Sequence, residues 1–255
     1  MAEGYATARP PVHAFVLDRV RQTLGDRLNS HRVLDAGCGA GLSTKPLVAV
    51  SEFCLGIEPV EAMLRFAPGV APGARFAAGA AEALPVRSHT FDLITAAGSL
   101  NYVNLGRFFP EAARVLAPGG FLVVYDFSPG KSFRSSEELD LWFGHFHARY
   151  PVLISEATRL TPEILERLDS GFRLEDHEYF ETGIQMTPGA YAAYMMTETN
   201  VALALREGTP EAEIREWVHE TLAPVFDGPE REVLFRGYFA CMEPVDGTIS
   251  RHFQG

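Results

Sequence analysis

The feature that most constrains this chain is its alternation of short apolar runs with helix-length segments, from about residue 12 to 126. HRVLDAG (31–37), EFCLGIE (52–58), ARFAAG (74–79), FDLITAA (91–97) and GFLVVYDF (120–127) predict strands. HAFVLDRVRQTL (13–24), LSTKPLVAV (42–50), VEAMLRFA (60–67) and LGRFFPEAARVLAPGG (105–120) predict helices, the last stopped by Pro-Gly-Gly. Strands joined through helices run parallel and are covered on both faces. Such strands are apolar nearly throughout, as LVVY and FDLIT are.

After Phe127 the rhythm changes. SPGKSFRSSEELD is polar and predicts a loop. ELDLWFGHFHARYP (138–151) predicts an aromatic helix stopped by Pro151, and TPEILERLDSGF (161–172) a helix capped by Thr161 with Pro162 in its first turn. TPGAYAAYMMTETNVALALREG (187–208) and TPEAEIREWVHETLAPVF (209–226) predict two more capped helices. RLEDHEYFETG (173–183) and REVLFRGYFACMEP (231–244) supply further strands. The expected fold is α/β: a Rossmann-like, seven-stranded, mostly parallel sheet with helices on both faces and a helical lid. Residues 1–30 would be an N-terminal helical segment and 31–126 the Rossmann-like core. Residues 127–172 and 184–228 would be lid insertions, and 173–183 and 229–255 the remaining core strands.

A net charge of −11 argues against a nucleic-acid backbone as the partner, which calls for a basic stripe. The opening MAEGYATARPPV has no apolar signal core, and no window approaches 18 uninterrupted apolar residues, so neither a leader nor a membrane partner is expected. Cys38, Cys54 and Cys241 are odd in number and widely spaced. They fit buried reduced thiols of a cytoplasmic protein, and no metal site is expected.

One motif stands out. VLDAGCGAG places Asp35 at the end of the first strand, then glycine at 37, 39 and 41. This spacing is neither the G-x-G-x-x-G fingerprint nor a phosphate loop with its lysine and hydroxyl. It lets backbone approach a ligand at the carboxyl ends of the strands. About 20 residues on, GIEP ends the second strand with Glu58, a carboxylate able to accept from two ribose hydroxyls. GAAEALPV (79–86), FDLITAAGSLNYV (91–103) and LAPGGFLVV (116–124) follow in order.

Through these five motifs, residues 30–127 closely resemble the class I S-adenosylmethionine-dependent methyltransferases. YATARPP is similar to the opening of small-molecule members of the trans-aconitate-methylating type, and TPGAYAAYMMTETN falls where that group has its cap helix. The resemblance implies S-adenosyl-L-methionine as cofactor. It implies that Asp35 orients the glycine loop and the cofactor's amino group, and that Gly37 and Gly39 lie against the methionine part and the ribose. Glu58 would hold the ribose hydroxyls. Ala81 and Glu82 would face the adenine, with Pro59 and Met63 lining its pocket. Ala97 and Gly98 would contact the amino acid end. Relatives often carry an acidic residue where this chain has Ala80, so the adenine amino group would rely on Glu82 or on backbone. Arg9 could pair with the cofactor's carboxylate.

A sulfonium is already an activated methyl donor, so the protein mainly positions the reactants and excludes water. Only a protonated acceptor needs a base. Tyr102 and His147 are the catalytic candidates. Asn101, Tyr102, Trp142, His145, Tyr191 and Met195 are the candidate substrate wall, since aromatic and methionine side chains suit an apolar pocket. The expected function is methyl transfer to a small organic molecule by a monomer or homodimer. The alternatives are a cyclase or lyase of the cofactor, or a non-catalytic binding module.

Overall fold

The computed structural model describes residues 2–28, 31–134, 136–151 and 159–245. The side chain of Tyr5, and the parts of the expected lid and last strand at 152–158 and 246–255, lie outside the described residues. In chain order the elements are α1 (Ala2–Ala8), α2 (Val12–Leu24), β1 (Arg32–Ala36), α3 (Thr44–Val48), β2 (Phe53–Glu58), α4 (Glu61–Leu64), α5 (Ala67–Val70), β3 (Arg75–Ala78) and β4 (Phe91–Ala97). They continue with α6 (Leu105–Val115), β5 (Leu116–Phe127), β6 (Ser132–Phe133), α7 (Glu138–Arg149), α8 (Pro162–Arg167) and β7 (Phe172–Met186). The chain closes with α9 (Pro188–Met195), α10 (Thr199–Arg206), α11 (Glu211–Phe226) and β8 (Arg231–Pro244).

The chain divides into two compact units. The core unit takes the described residues of 13–127, 157–180 and 237–255. Its parallel strands run in the order β3-β2-β1-β4-β5, and the second half of β8 pairs antiparallel with β5, from Leu122↔Met242 to Phe127↔Gly237. The chain steps outward from β1 to β3, then returns to place β4 on the other side of β1. That reversal makes the gap between the carboxyl ends of β1 and β4 a topological switch point, where open α/β sheets bind ligands. Apolar side chains drive the assembly. Leu34, Ile57, Phe91, Ile94, Phe108 and Leu122 are all buried, and each such side chain contributes roughly 1.5–3 kcal/mol by leaving water. On α6, Phe108, Phe109, Ala112, Ala113 and Val115 form the buried stripe, and Asn104 caps the helix by accepting from the Arg107 amide.

The helical unit takes the described residues of 1–12, 128–156 and 181–236. Here β6 pairs antiparallel with the first half of β8, at Ser132↔Leu234 and Phe133↔Val233. Helices α7, α9 and α11 pack through Trp142, Phe146, Tyr191, Met195, Val218 and Phe226. The Trp142 indole donates to Thr221 Oγ1 at 2.9 Å, so the ring's one polar atom is satisfied.

The sheet has eight strands where seven are expected, because SPGKSFRSS contributes the short β6. Helix α1 falls in the expected N-terminal helical segment, residues 1–12 join the helical unit and α8 joins the core unit. The segment VEAMLRFA holds only the short α4, and α5 opens at its last residue, Ala67, with Pro68 in the first turn. Residues 187–208 form two helices rather than one, separated at Thr197 and Glu198. Thr161 and Thr187 cap their helices through side-chain oxygens, whereas α11 starts after Pro210 with no side-chain cap. Among the described residues, no helix is long and apolar enough to cross a membrane.

Candidate cofactor and acceptor site

Asp35 ends the apolar run of β1 with a fully buried carboxylate. Three hydroxyls satisfy it: Ser43 at 2.6 Å and Thr44 at 2.7 Å donate to Oδ2, and Thr95 at 3.0 Å donates to Oδ1. Burial pushes the Asp35 carboxyl above the usual range, and the three hydroxyls oppose that shift. The donors come from the start of α3 and from β4, so one buried anion ties the glycine loop to its neighbours. The carboxylate has no exposed face toward an amino group.

The loop itself bends back over β2, where Gly37 and Cys38 donate their amides to the Ile57 carbonyl at 2.8 and 3.0 Å. Gly37 sits at φ +76°, and a Cβ there would stand 2.4 Å from Ser99 Cβ, so only glycine fits. Gly39 differs. At φ +54° its missing Cβ would meet only Met63 Cε, at an ordinary contact distance of 3.8 Å, so there is room for a small group beside the backbone.

Glu58 ends β2 beside that space and is 8% exposed. Its Oε2 accepts from the Gly39 amide and its Oε1 from the Val60 amide, both at 3.0 Å. Each oxygen keeps a second lone-pair site. Two anchored, parallel acceptors match a pair of vicinal hydroxyls, and the open side of Gly39 gives a ligand room next to them. The residues therefore fit an adenosyl cofactor. Pro59 is exposed and Met63 half-buried at the same corner.

These observations meet three comparisons. Residues 34–124 match the family described as a methyltransferase domain. An uncharacterized methyltransferase of Mycobacterium bovis is 34% identical over 93 residues, covering 36% of this chain and 38% of that protein. The demethylmenaquinone methyltransferase of Renibacterium salmoninarum is 36% identical over 98 residues, covering 38% of this chain and 41% of that protein. The chain thus spans about two-fifths of the length of the curated relatives it matches, 38% and 41% for these two. Over residues 34–124, then, the chain is similar to methyltransferase domains. The fold extends further: a structure described as a type II methyltransferase from Anaeromyxobacter dehalogenans superposes with a TM-score of 0.66 at 21% identity, over 88% of this chain and 94% of that one.

Within that stretch, Ala81 is buried in the apolar core, and Glu82 accepts from the Asn104 amide at 2.9 Å, holding the start of α6. Ala97 and Gly98 lie half-buried at the carboxyl end of β4, where Gly98 donates its amide to the Tyr125 carbonyl. Asn101 is half-buried and Tyr102 is 74% exposed in the turn that follows.

The remaining candidates lie in the helical unit. Arg9 Nη2 is 3.1 Å from Glu198 Oε1 and donates to the Thr197 carbonyl at 3.4 Å, with its guanidinium over the Tyr194 ring. Trp142, Tyr191 and Met195 are buried in that unit's own packing, where Tyr191 donates its hydroxyl to the Gly130 carbonyl at 2.7 Å. His145 is exposed. His147 is half-buried against Phe143, and burial, aided by Lys131, pulls its pKa down. The structure thus does not gather the six wall candidates within one unit.

Sequence reasoning passed over Ser99, Asp126 and His13. Ser99 fills the space Gly37 leaves and donates to the Ala36 carbonyl at 2.7 Å. Asp126 ends an apolar strand just as Asp35 does, a signal open to reading. His13 Nδ1 lies 2.9 Å from the Tyr125 hydroxyl, a pairing across 112 residues that no local pattern carries. All three cysteines are free and buried, and burial pushes the Cys54 and Cys241 thiols up to about 12. No group of three metal-ligating side chains occurs among the described residues.

Proposed function

We propose that this chain is an S-adenosylmethionine-dependent methyltransferase acting on a small organic molecule. The observation that carries the reading is Glu58. A nearly buried carboxylate is held by two backbone amides at the end of β2, beside the open flank of Gly39. When bound, the cofactor supplies a methyl group already activated by its sulfonium. Glu58 binds the ribose hydroxyls, the backbone of Gly37 to Gly39 lies along the ribose and methionine part, and Pro59 and Met63 line the base. The stretch from Ala81 to Glu82 borders the adenine, and Ala97 with Gly98 borders the amino acid end. Asp35 acts at one remove, by fixing the loop. Such positioning supplies up to roughly 7–11 kcal/mol in favourable cases. An organic acceptor is favoured by the relative named for demethylmenaquinone and by the chain's net charge of −11, which repels a polyanion.

Incubation with S-adenosylmethionine alone tests the reading. Intact cofactor should persist until an acceptor is added, and S-adenosylhomocysteine should then accumulate. Methylthioadenosine released without acceptor would overturn transfer in favour of cofactor cleavage.

A further inference from the structure

The carboxyl ends of β4 and β5 carry a second polar cluster, all of it in the core unit. Asp126 is the penultimate residue of β5, and its register partner is Tyr238 on β8. Directly opposed residues of an antiparallel pair share one face of the sheet. The Asn101 side-chain amide donates to Asp126 Oδ2 at 2.8 Å, and the Phe127 amide donates to Oδ1 at 2.8 Å. Asn101 is itself oriented, because its Oδ1 accepts from the Leu160 amide at 3.3 Å. One lone-pair site on each Asp126 oxygen is thereby filled and one is left.

Access to those sites is built in. Gly98 turns the chain after β4 at φ +63°, and a Cβ there would stand 3.2 Å from Asp126 Oδ1. Glycine keeps the carboxylate approachable from the side where the cofactor's reactive end is expected. Tyr238, opposite Asp126 in register, is 6% exposed. Burial first, and then the Asp126 charge, raise its pKa, so it stays a donor; Arg159 pulls weakly the other way. The Tyr179 ring packs 6.3 Å from Tyr238 and is 57% exposed, held by its hydroxyl on the Glu163 carboxylate. Tyr102, adjoining Asn101, adds a second exposed ring.

We propose that Asp126 and Tyr238 form the acceptor subsite, and that it takes a neutral, largely aromatic or apolar molecule bearing a protic O–H or N–H group whose hydrogen Asp126 accepts. This inference rests on the methyltransferase reading above. The chemistry follows from the pair: Asp126 offers lone pairs to a proton, Tyr238 offers a hydrogen to a lone pair, and the tyrosine rings offer apolar area. A carboxylate acceptor would face the Asp126 charge and is disfavoured. Asn101 is a positioning residue that fixes the carboxylate.

The test uses full-length protein saturated with S-adenosylhomocysteine and two probes of equal shape class, 2-naphthol and 2-methoxynaphthalene, titrated by calorimetry. The wild type should bind 2-naphthol at least about tenfold more tightly than its methyl ether, since a charged acceptor is left unpaired by the ether. Asp126→Asn should reduce that preference below threefold while leaving S-adenosylhomocysteine affinity unchanged. A wild type that binds S-adenosylhomocysteine but shows no preference, or binds neither probe, overturns the subsite. So does Asp126→Asn that keeps the full preference. Should Asp126→Asn not fold, the wild-type comparison still decides. Failure to bind S-adenosylhomocysteine would instead remove the underlying functional reading.

Discussion

Gly37→Ala offers a sharp test of how the glycine loop is built. The new methyl group would stand 2.4 Å from Ser99 Cβ and 2.9 Å from Ser99 Oγ, at φ +76°. Two costs combine. Left-handed backbone costs an alanine about 1–2 kcal/mol, and overpacking a filled site costs about 1–3 kcal/mol. The variant should therefore lose about 2–5 kcal/mol. The second cost depends on Ser99 and the first does not. Ser99→Gly alone gives up its hydrogen bond to the Ala36 carbonyl and adds backbone entropy, about 1–2.5 kcal/mol together. In the double variant the clash is relieved, so its loss should fall short of the sum of the single losses by about 1–3 kcal/mol. Urea unfolding followed by far-ultraviolet circular dichroism measures all four proteins, with equal m-values as the condition for comparison. Fluorescence is a poor substitute, because Trp142 and Trp217 both lie in the helical unit. Strictly additive losses, within about 0.5 kcal/mol, would refute the contact between residues 37 and 99.

Two further outcomes follow from burial and charge. Native protein at pH 8 should leave Cys38, Cys54 and Cys241 unreactive toward a disulfide reagent, and denatured protein should titrate all three; rapid native labelling would contradict their burial. Glu111 is held by Arg114 Nε and Nη2 and by the Leu84 amide, and the Arg114 partnership, its largest cause, keeps its folded pKa below the ordinary value. A depressed carboxyl stabilises above its unfolded pKa and loses that contribution as pH falls through the folded one. Wild type should exceed Glu111→Gln by about 1 kcal/mol at pH 7, with the gap closing below about pH 4.5; a gap that widens on acidification would contradict the sign.

Much of the core was legible because local and tertiary preferences agree there. FDLITAA and REVLFRGYFACMEP appear as β4 and β8 with the expected ends, since short segments rich in apolar, β-branched and aromatic residues between polar turns favour strands. Disagreements arise where distant contacts decide. TPGAYAAYMMTETNVALALREG has helical residues throughout, yet Thr197 turns its hydroxyl onto the Tyr194 carbonyl and Glu198 pairs with Arg9, almost 190 positions away, so the helix breaks. The start of β5 was hidden for a similar reason. Leu116 pairs with Phe91 before a register shift, and Pro-Gly-Gly, a normal helix stop, sits inside the strand. For the candidate site, the glycine spacing after Asp35 and the carboxylate at Glu58 stand out in the sequence, while the contacts that fix them, Thr95 on Asp35 and Ser99 against Gly37, come from far along the chain. Ser99 and Asp126 were not weighed, because their partners come from other strands. Trp142, Tyr191 and Met195 carry the composition of a pocket wall and are buried in the packing of their own unit.

Glu58 and the backbone flank of Gly39 are proposed to hold an adenosyl cofactor. Calorimetric titration of S-adenosylhomocysteine into wild type and Glu58→Gln tests this proposal most directly. A hydrogen bond to a charged group contributes about 1.5–3 kcal/mol, so the variant should bind roughly 10- to 150-fold more weakly, with an unchanged fold by circular dichroism. Wild type without measurable binding, or a folded Glu58→Gln that binds as tightly as wild type, would contradict the account.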